Sequence, residues 1–253
     1  MQTLHVLLLR FLCDANNGDA AERYASIVNV HMLLREKRSV TNLEAIMLGS
    51  AGLLDLLPED DDYIEMLRRE FRRLSCKYNI VPMSAHEWSF SANYGYCEHT
   101  LRLVQLAACY HRNCISNDSL LNNSGKFAYF MFSAPTSDYW VELLSGLANK
   151  RYFIFLSQVL ATKMAVNVLI PFIYTHDYIE QTDDYNMRAM ELLYDLPGEE
   201  NRYTKLWGFD IFAIHSAFES QGVIQLSVEY CRRGRCDECP LRKMIIRGGK
   251  YPW

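Results

Sequence analysis

Residues 58–78 read PEDDDYIEMLRREFRRLSCKY, and this stretch decides the fold class. Tyr63, Leu67, Phe71, Leu74 and Tyr78 recur every three or four residues, the period of one face of an α-helix. The acidic lead Glu59–Asp62 lies just before that stripe. There its carboxylates can accept hydrogen bonds from free backbone N–H groups and face the positive end of a helix dipole. It lacks the alternating carboxylates, the glycine and the distal glutamate of a calcium loop, so capping is the expected role. Glu65 and Arg69, four residues apart, are spaced to pair on the outer face. Arg68, Arg69, Arg72, Arg73 and Lys77 make that face basic, as a solvated helix face commonly is.

The helical period continues on both sides. Leu4–Cys13 is a short apolar helix by pattern, followed by a turn at Asn16–Asp19. A single helix is expected over residues 20–37, with Tyr24, Ile27, Val28 and Met32 on its buried face. Ser39–Asn42 reads as a helix start for the stripe Leu43, Ile46, Met47 and Ala51. Gly49 and Gly52 within it imply close helix packing or a helix end; no Lys-Ser or Lys-Thr follows, so they are not a phosphate loop. Asn79–His99 is irregular but rich in aromatic residues, as in a loop packed onto the body of the protein. Further helices are expected over residues 100–113, Tyr139–Leu147, Met187–Tyr194 and residues 215–230. Residues 113–125 are polar and 126–132 apolar. Tyr152–Tyr174 is the most hydrophobic region and is expected to be the central helix or helix pair, kinked or restarted at Pro171.

Only 12 glycines and 7 prolines punctuate 253 residues, and no sustained alternation of apolar and polar positions is present. The pattern therefore predicts an all-α fold: a compact multi-helix domain ending in a cysteine-rich turn. One domain over residues 1–253 is expected, with 79–99 as the best position for a subdomain break. Half of the residues are hydrophobic and 13% aromatic, which excludes a disordered chain. Glycine-rich dinucleotide fingerprints, a Gly-x-Ser-x-Gly elbow and a His-Glu-x-x-His zinc motif are all absent. The formal net charge of −4 excludes a surface coated in positive charge, but not a local basic patch. Such a patch lies near the C-terminus, where Arg232, Arg233, Arg235, Arg242, Lys243 and Arg247 are candidate nucleic-acid contacts. Lys250 extends it. For acid–base chemistry the candidates are His111, His176, His215 and Glu219; no catalytic role is assigned to them.

Met1–Cys13 lacks a charged leading region and a cleavage site, and the apolar run Met164–Tyr174 is shorter than a bilayer span. A cytoplasmic protein with reduced thiols and no membrane partner is expected. Cys13, Cys76, Cys109 and Cys114 are then expected as small buried hydrophobes. Cys231, Cys236 and Cys239 differ: their C-x4-C-x2-C spacing, followed by Pro240, suits metal ligation. The cofactor would be zinc or an iron–sulfur cluster, with a fourth ligand from Cys97 with His99, Cys109 with His111, or Cys114. Two alternatives stand beside it. Cys236 and Cys239 could form a redox pair activated by flanking arginines, or the run could be a tight structural turn packed by apolar thiols and bent at Gly234. The run also resembles the cluster loop of the endonuclease-III-like DNA glycosylases. Here the upstream gap is shorter, the fourth cysteine is absent, and no catalytic lysine and aspartate are identifiable, so no activity carries over.

Four longer segments carry a second resemblance: Leu43–Leu54, Arg102–Ala107, Asn167–Phe172 and Glu219–Cys239. In these the chain resembles the C-terminal half of the bacterial domain-of-unknown-function family two-eight-five-one. Full-length relatives resemble a restriction-type nuclease in their N-terminal half, with a Gly-Pro-Asp motif and a later Glu-x-His/Lys motif. This chain shows neither. It also departs near Ser91–Tyr94, reading Ser-Ala-Asn-Tyr where relatives tend to read Arg-Pro-Ala-Asn. The resemblance implies a non-catalytic helical module, accessory to a nuclease-like or nucleic-acid-processing partner that is separately encoded. An enzyme with an unrecognised pocket, or an oligomeric scaffold, is the alternative.

Overall fold

A computed structural model describes residues 1–13, 15–92, 95–112, 115, 134–181, 185–208 and 213–242. In chain order its helices are α1 (Gln2–Leu12), α2 (Gly18–Ile27), α3 (Val30–Glu36), α4 (Val40–Ser50), α5 (Asp62–Tyr78) and α6 (Gly95–His111). Then come α7 (Asp138–Ala148), α8 (Gln158–Met164), α9 (Ile170–Ile179), α10 (Tyr185–Asp195), α11 (Arg202–Gly208) and α12 (Ala217–Leu226). Two isolated bridges, Ser91 to Gly95 and Pro197 to Ser216, take the place of strands among the described residues. The fold is all-α, as the periodicity implies.

The chain divides into two compact units between Phe172 and Ile173. Residues 79–99 lie inside the first unit. That unit is built on α4, whose residues Leu43 to Ser50 are all buried, and on α6, which α4 packs against. Both helices are buried over most of their length, as helices surrounded by protein are. On another side α4 meets α5 across Gly49, where a Cβ atom would overlap the Phe71 ring. At its end Gly52 takes a left-handed φ of 71°, and a Cβ there would lie 2.5 Å from the Met83 carbonyl oxygen. The following loop clasps this end: the Met83 amide donates to the Ser50 carbonyl at 2.9 Å, and the Trp88 indole to Ala51 at 2.9 Å.

Local chemistry fixes the helix starts. Asp61 caps α5, its Oδ1 accepting from the amides of Tyr63 (2.9 Å) and Ile64 (3.0 Å). Ser39 caps α4 and Ser216 caps α12. Glu65 reaches Arg72 at 3.5 Å rather than the expected Arg69. The helix expected over residues 20–37 is two, because Asn29 takes an extended backbone and its side chain accepts from the Met32 amide, starting α3 anew. The expected central helix also differs. Residues 151–157 are not helical, and helix begins only at Ser157, the cap of α8. Between α8 and α9, residues Ala165–Leu169 widen into a π-helical turn just before Pro171. Pro171 has no N–H, and its ring would crowd the carbonyl four residues back; the widened turn accommodates both. Taken through that turn, Gln158–Ile179 is one helix of 22 residues, long and apolar enough to cross a membrane, with half of its most apolar window buried in the protein. It extends beyond both ends of the apolar run Met164–Tyr174, which by itself is too short for a bilayer span. In the second unit, α12 packs against α10 and α11.

Two buried polar groups of the first unit, His5 and Glu36, each bond to several partners. His5 lies between the Tyr110 hydroxyl and the Val28 carbonyl, each at 2.8 Å. Burial lowers its pKa to about 4, against the weaker upward pull of the Val28 carbonyl. Glu36 joins three helices, accepting from Asn42 (2.7 Å), Lys77 (2.6 Å) and Tyr78 (2.5 Å). Burial pushes its carboxyl up, but those donors outweigh it and hold the pKa at about 2.

Two predictions follow from these contacts. G49A should destabilise the protein by about 1–3 kcal/mol in urea unfolding, because the Phe71 ring must move. Acid should weaken the fold in two stages. His5 favours the folded state only when neutral, so its contribution is complete above pH 6.5 and lost as pH falls towards 4. That of Glu36 is complete above 4.5 and lost as pH falls towards 2. Proton NMR should show one imidazole titrating near pH 4; all histidines titrating near 6.5 would refute the His5 assignment.

Candidate functional site

Residues Glu98, Leu101, Arg102 and Gln105 recur at intervals of three, one and three along α6, so they share one helix face. Opposite them runs the non-helical segment Lys150–Ser157. Together they enclose a cleft of about 450 Å³ in the first unit. The two walls are tied by the Gln105 amide, which donates to the Phe153 carbonyl at 3.3 Å. The segment is held from behind as well. The Tyr152 amide donates to Ser145 Oγ at 3.0 Å, and the Thr136 amide to the Ile154 carbonyl at 2.9 Å. Leu101, Tyr152 and Leu156 are buried and give the cleft an apolar floor. Phe153 and Phe155 are 62% and 46% exposed, unusually open for rings of that size.

Among the described residues the cleft is lined by three cations, Arg102, Lys150 and Arg151, and by one carboxylate, Glu98. Glu98 pairs with Arg102 at 3.0 Å, and Arg102 also donates to Gln105 at 3.1 Å. Lys150 lies over the Tyr152 ring at 5.2 Å, and Arg151 over the Phe153 ring at 5.4 Å. Cations and aromatic faces thus alternate along one wall. The sequence holds a signal for this, Lys150-Arg151-Tyr152-Phe153-Ile154-Phe155, in which a basic pair runs into aromatic residues. The apolar character of the same residues also fits a core helix, which masks the signal.

The expected nucleic-acid contacts are less free. Arg233 pairs with Glu229 at 3.1 Å, Arg235 with Glu238, and Arg242 with Asp237. Arg232 donates to the Tyr203 hydroxyl at 2.8 Å. Lys243, Arg247 and Lys250 lie outside the described residues, as does Cys114.

The cysteine run does form a tight turn. The Gly234 amide donates to the Cys231 carbonyl at 3.2 Å, Gly234 has a φ of 63°, and Cys236–Glu238 is a single 3-10 turn. The expectation of apolar packing is corrected: Cys231 and Cys236 are exposed and Cys239 half-buried. Among the described residues no group of three or more His, Cys, Asp or Glu side chains is arranged to hold a metal ion. Of the thiols expected to be buried, Cys13 and Cys109 are, while Cys76 is exposed.

The acid–base candidates have structural partners. His111 contacts the Lys37 carbonyl at 2.8 Å. His176 lies 3.2 Å from Asp177, which also pairs with Arg188. Glu219 accepts from the His215 and Ser216 amides at 2.7 and 3.1 Å, as the far half of a capping box with Ser216. The His215 amide is the main reason its carboxyl titrates below the usual range.

The fold and the cleft define an all-helical protein with a cationic, aromatic-rimmed site. The chain belongs to the family described as "Protein of unknown function (DUF2851)", whose model matches residues 1–202. That match ends before the cysteine run. No curated protein and no solved structure matches the chain.

In the native protein a thiol reagent should label Cys76, Cys231 and Cys236 rapidly, and Cys13, Cys97 and Cys109 only after unfolding. Protection of Cys231 and Cys236, relieved by a chelator, would instead show that the run holds metal. Elemental analysis of protein purified without chelator should then give about one zinc, or about two to four irons, per chain rather than below about 0.1.

Proposed function

We propose that this protein is a non-catalytic helical module of the cytoplasm that binds nucleic acid beside a nuclease-like partner. The observation that carries this reading is the cleft between α6 and Lys150–Ser157, where three cations meet one carboxylate beside exposed phenylalanines. A concave site of one charge sign concentrates its field, so it attracts a polyanion even on a chain of net charge −4. Open aromatic faces suit nucleobases, which stack without regard to sequence. The arginines at 232, 233, 235 and 242 have a supporting role, since three of them already face carboxylates.

The partner comes from the family resemblance. The residues here correspond to its helical half, and a nuclease-like half would be supplied by another chain or by further residues of a longer one. A second reading, an oligomeric scaffold, draws on Tyr178, Ile179, Met187, Tyr194 and Leu206, apolar side chains exposed in the second unit. Light scattering separates the two, because a scaffold is multimeric without nucleic acid.

Fluorescence anisotropy with a labelled single strand of roughly 20 nucleotides tests the first reading. Binding should appear at low salt. If the three cations of the cleft each neutralise one phosphate, log affinity should fall against log salt with a slope of about −2. Replacing Lys150 and Arg151 together by alanine should weaken binding and flatten that slope. Absence of binding at low salt, to DNA and RNA alike, would sink the proposal.

A further inference from the structure

We propose that the cleft accepts one unpaired nucleotide of a single strand, its base against Phe153 and Phe155 and its phosphate on Arg102 and Lys150. This rests on the nucleic-acid reading above and narrows it to strandedness. Three observations lead there. The first is shape: a cleft of about 450 Å³ falls within the ~300–1,000 Å³ of small-ligand sites. A duplex offers base edges in its grooves and is read by a protruding helix or ribbon, whereas a recess can receive only what leaves the stack.

The second observation is the floor and rim. Leu101, Tyr152 and Leu156 exclude water below, while Phe153 and Phe155 remain open to solvent at the mouth. An exposed ring gains from a partner with a flat face, and an unpaired base presents one. The third is the distribution of charge. Lys150 lies over the Tyr152 ring at 5.2 Å and Arg151 over the Phe153 ring at 5.4 Å, so each cation adjoins an aromatic ring of the same wall. Arg102 is fixed by Glu98 and Gln105, so its guanidinium is already oriented before a phosphate arrives. Cations and open rings thus line the same cleft, where one nucleotide could meet both.

The test compares four probes against the intact protein at one low salt concentration: an oligothymidylate strand, an abasic strand of equal length, a duplex, and free thymidine monophosphate. The oligothymidylate should bind about tenfold more tightly than either the abasic strand or the duplex. F153A and F155A should each remove most of that preference, weakening oligothymidylate binding far more than abasic binding. Both rings are exposed, so the variants should fold, which circular dichroism checks; F155Y should retain the preference. Equal binding of the abasic strand, or of the duplex, would overturn the stacked nucleotide while leaving nucleic-acid binding in place. Free nucleotide matching the strand in affinity would overturn the strand as occupant. Failure of all four probes to bind would instead defeat the wider reading.

Discussion

The first unit depends on how closely other parts of the chain can approach α4. A buried helix must be covered on all sides, and the thickness of its side chains sets the distance of each neighbour. At Gly49 that thickness is zero, and the Phe71 ring of α5 fills the space directly over the backbone. At Gly52 the left-handed turn brings the Met83 carbonyl against the chain, so the loop after α5 closes over the end of α4. Close packing makes such contacts all-or-none: the core either accommodates Phe71 there or must rearrange. The helix that carries the cleft, α6, packs on α4 in turn. The same buried helix thus supports α5 on one side and the wall of the cleft on another.

Burying α4 so completely carries a polar cost at Glu44, a carboxyl only 2% exposed. Burial raises its pKa, against the opposing pull of the Tyr63 hydroxyl, which donates to it at 2.7 Å. The same ring stands beside Tyr139 and Trp140 of α7, and the Tyr139 hydroxyl donates to Asp61, the cap of α5, at 2.7 Å. One polar chain thus links the core of α4, the start of α5 and the start of α7. Burial alone would raise the Asp61 carboxyl, but the Tyr139 hydroxyl and the two capped amides hold it below its usual range. Such a chain holds helices in register as well as in contact, because each hydrogen bond has one good geometry and hydrophobic packing has many.

The features legible in the sequence were those set by local spacing. The stripe from Tyr63 to Tyr78 gave α5, and the acids before it gave the cap at Asp61. Gly49 and Gly52 pointed both to close packing and to a helix end, and each glycine does one of these. Misreadings arose where one residue changed the local rule. Asn29 looks like a tolerable polar position inside a helix until its side chain is seen to cap the next one. In α7 the spacing suggests a stripe of Tyr139, Trp140, Leu143 and Leu147; Trp140 is buried as expected, but its buried partner is Leu144, and Leu147 is 43% exposed. Periodicity identifies a helix more reliably than it orients one.

The cleft was illegible for a different reason. Its two walls are 48 residues apart in sequence, and one of them has no repeating pattern. Tyr152–Leu156 is apolar enough to pass for the start of a core helix, and helix–strand–coil ambiguity in short apolar runs is intrinsic. What keeps it extended is the set of partners its backbone finds. The Gln105 amide, Ser145 Oγ and the Thr136 amide bond to Phe153, Tyr152 and Ile154, three successive residues in need of partners outside a helix. Held in this way, the segment turns Tyr152 and Leu156 inward while Phe153 and Phe155 stay open. A helix over the same residues would have placed its rings on other neighbours and closed the cleft. The binding surface is thus a consequence of backbone groups being met by side chains of α6 and α7 and by the Thr136 amide, a long-range condition that no local spacing encodes.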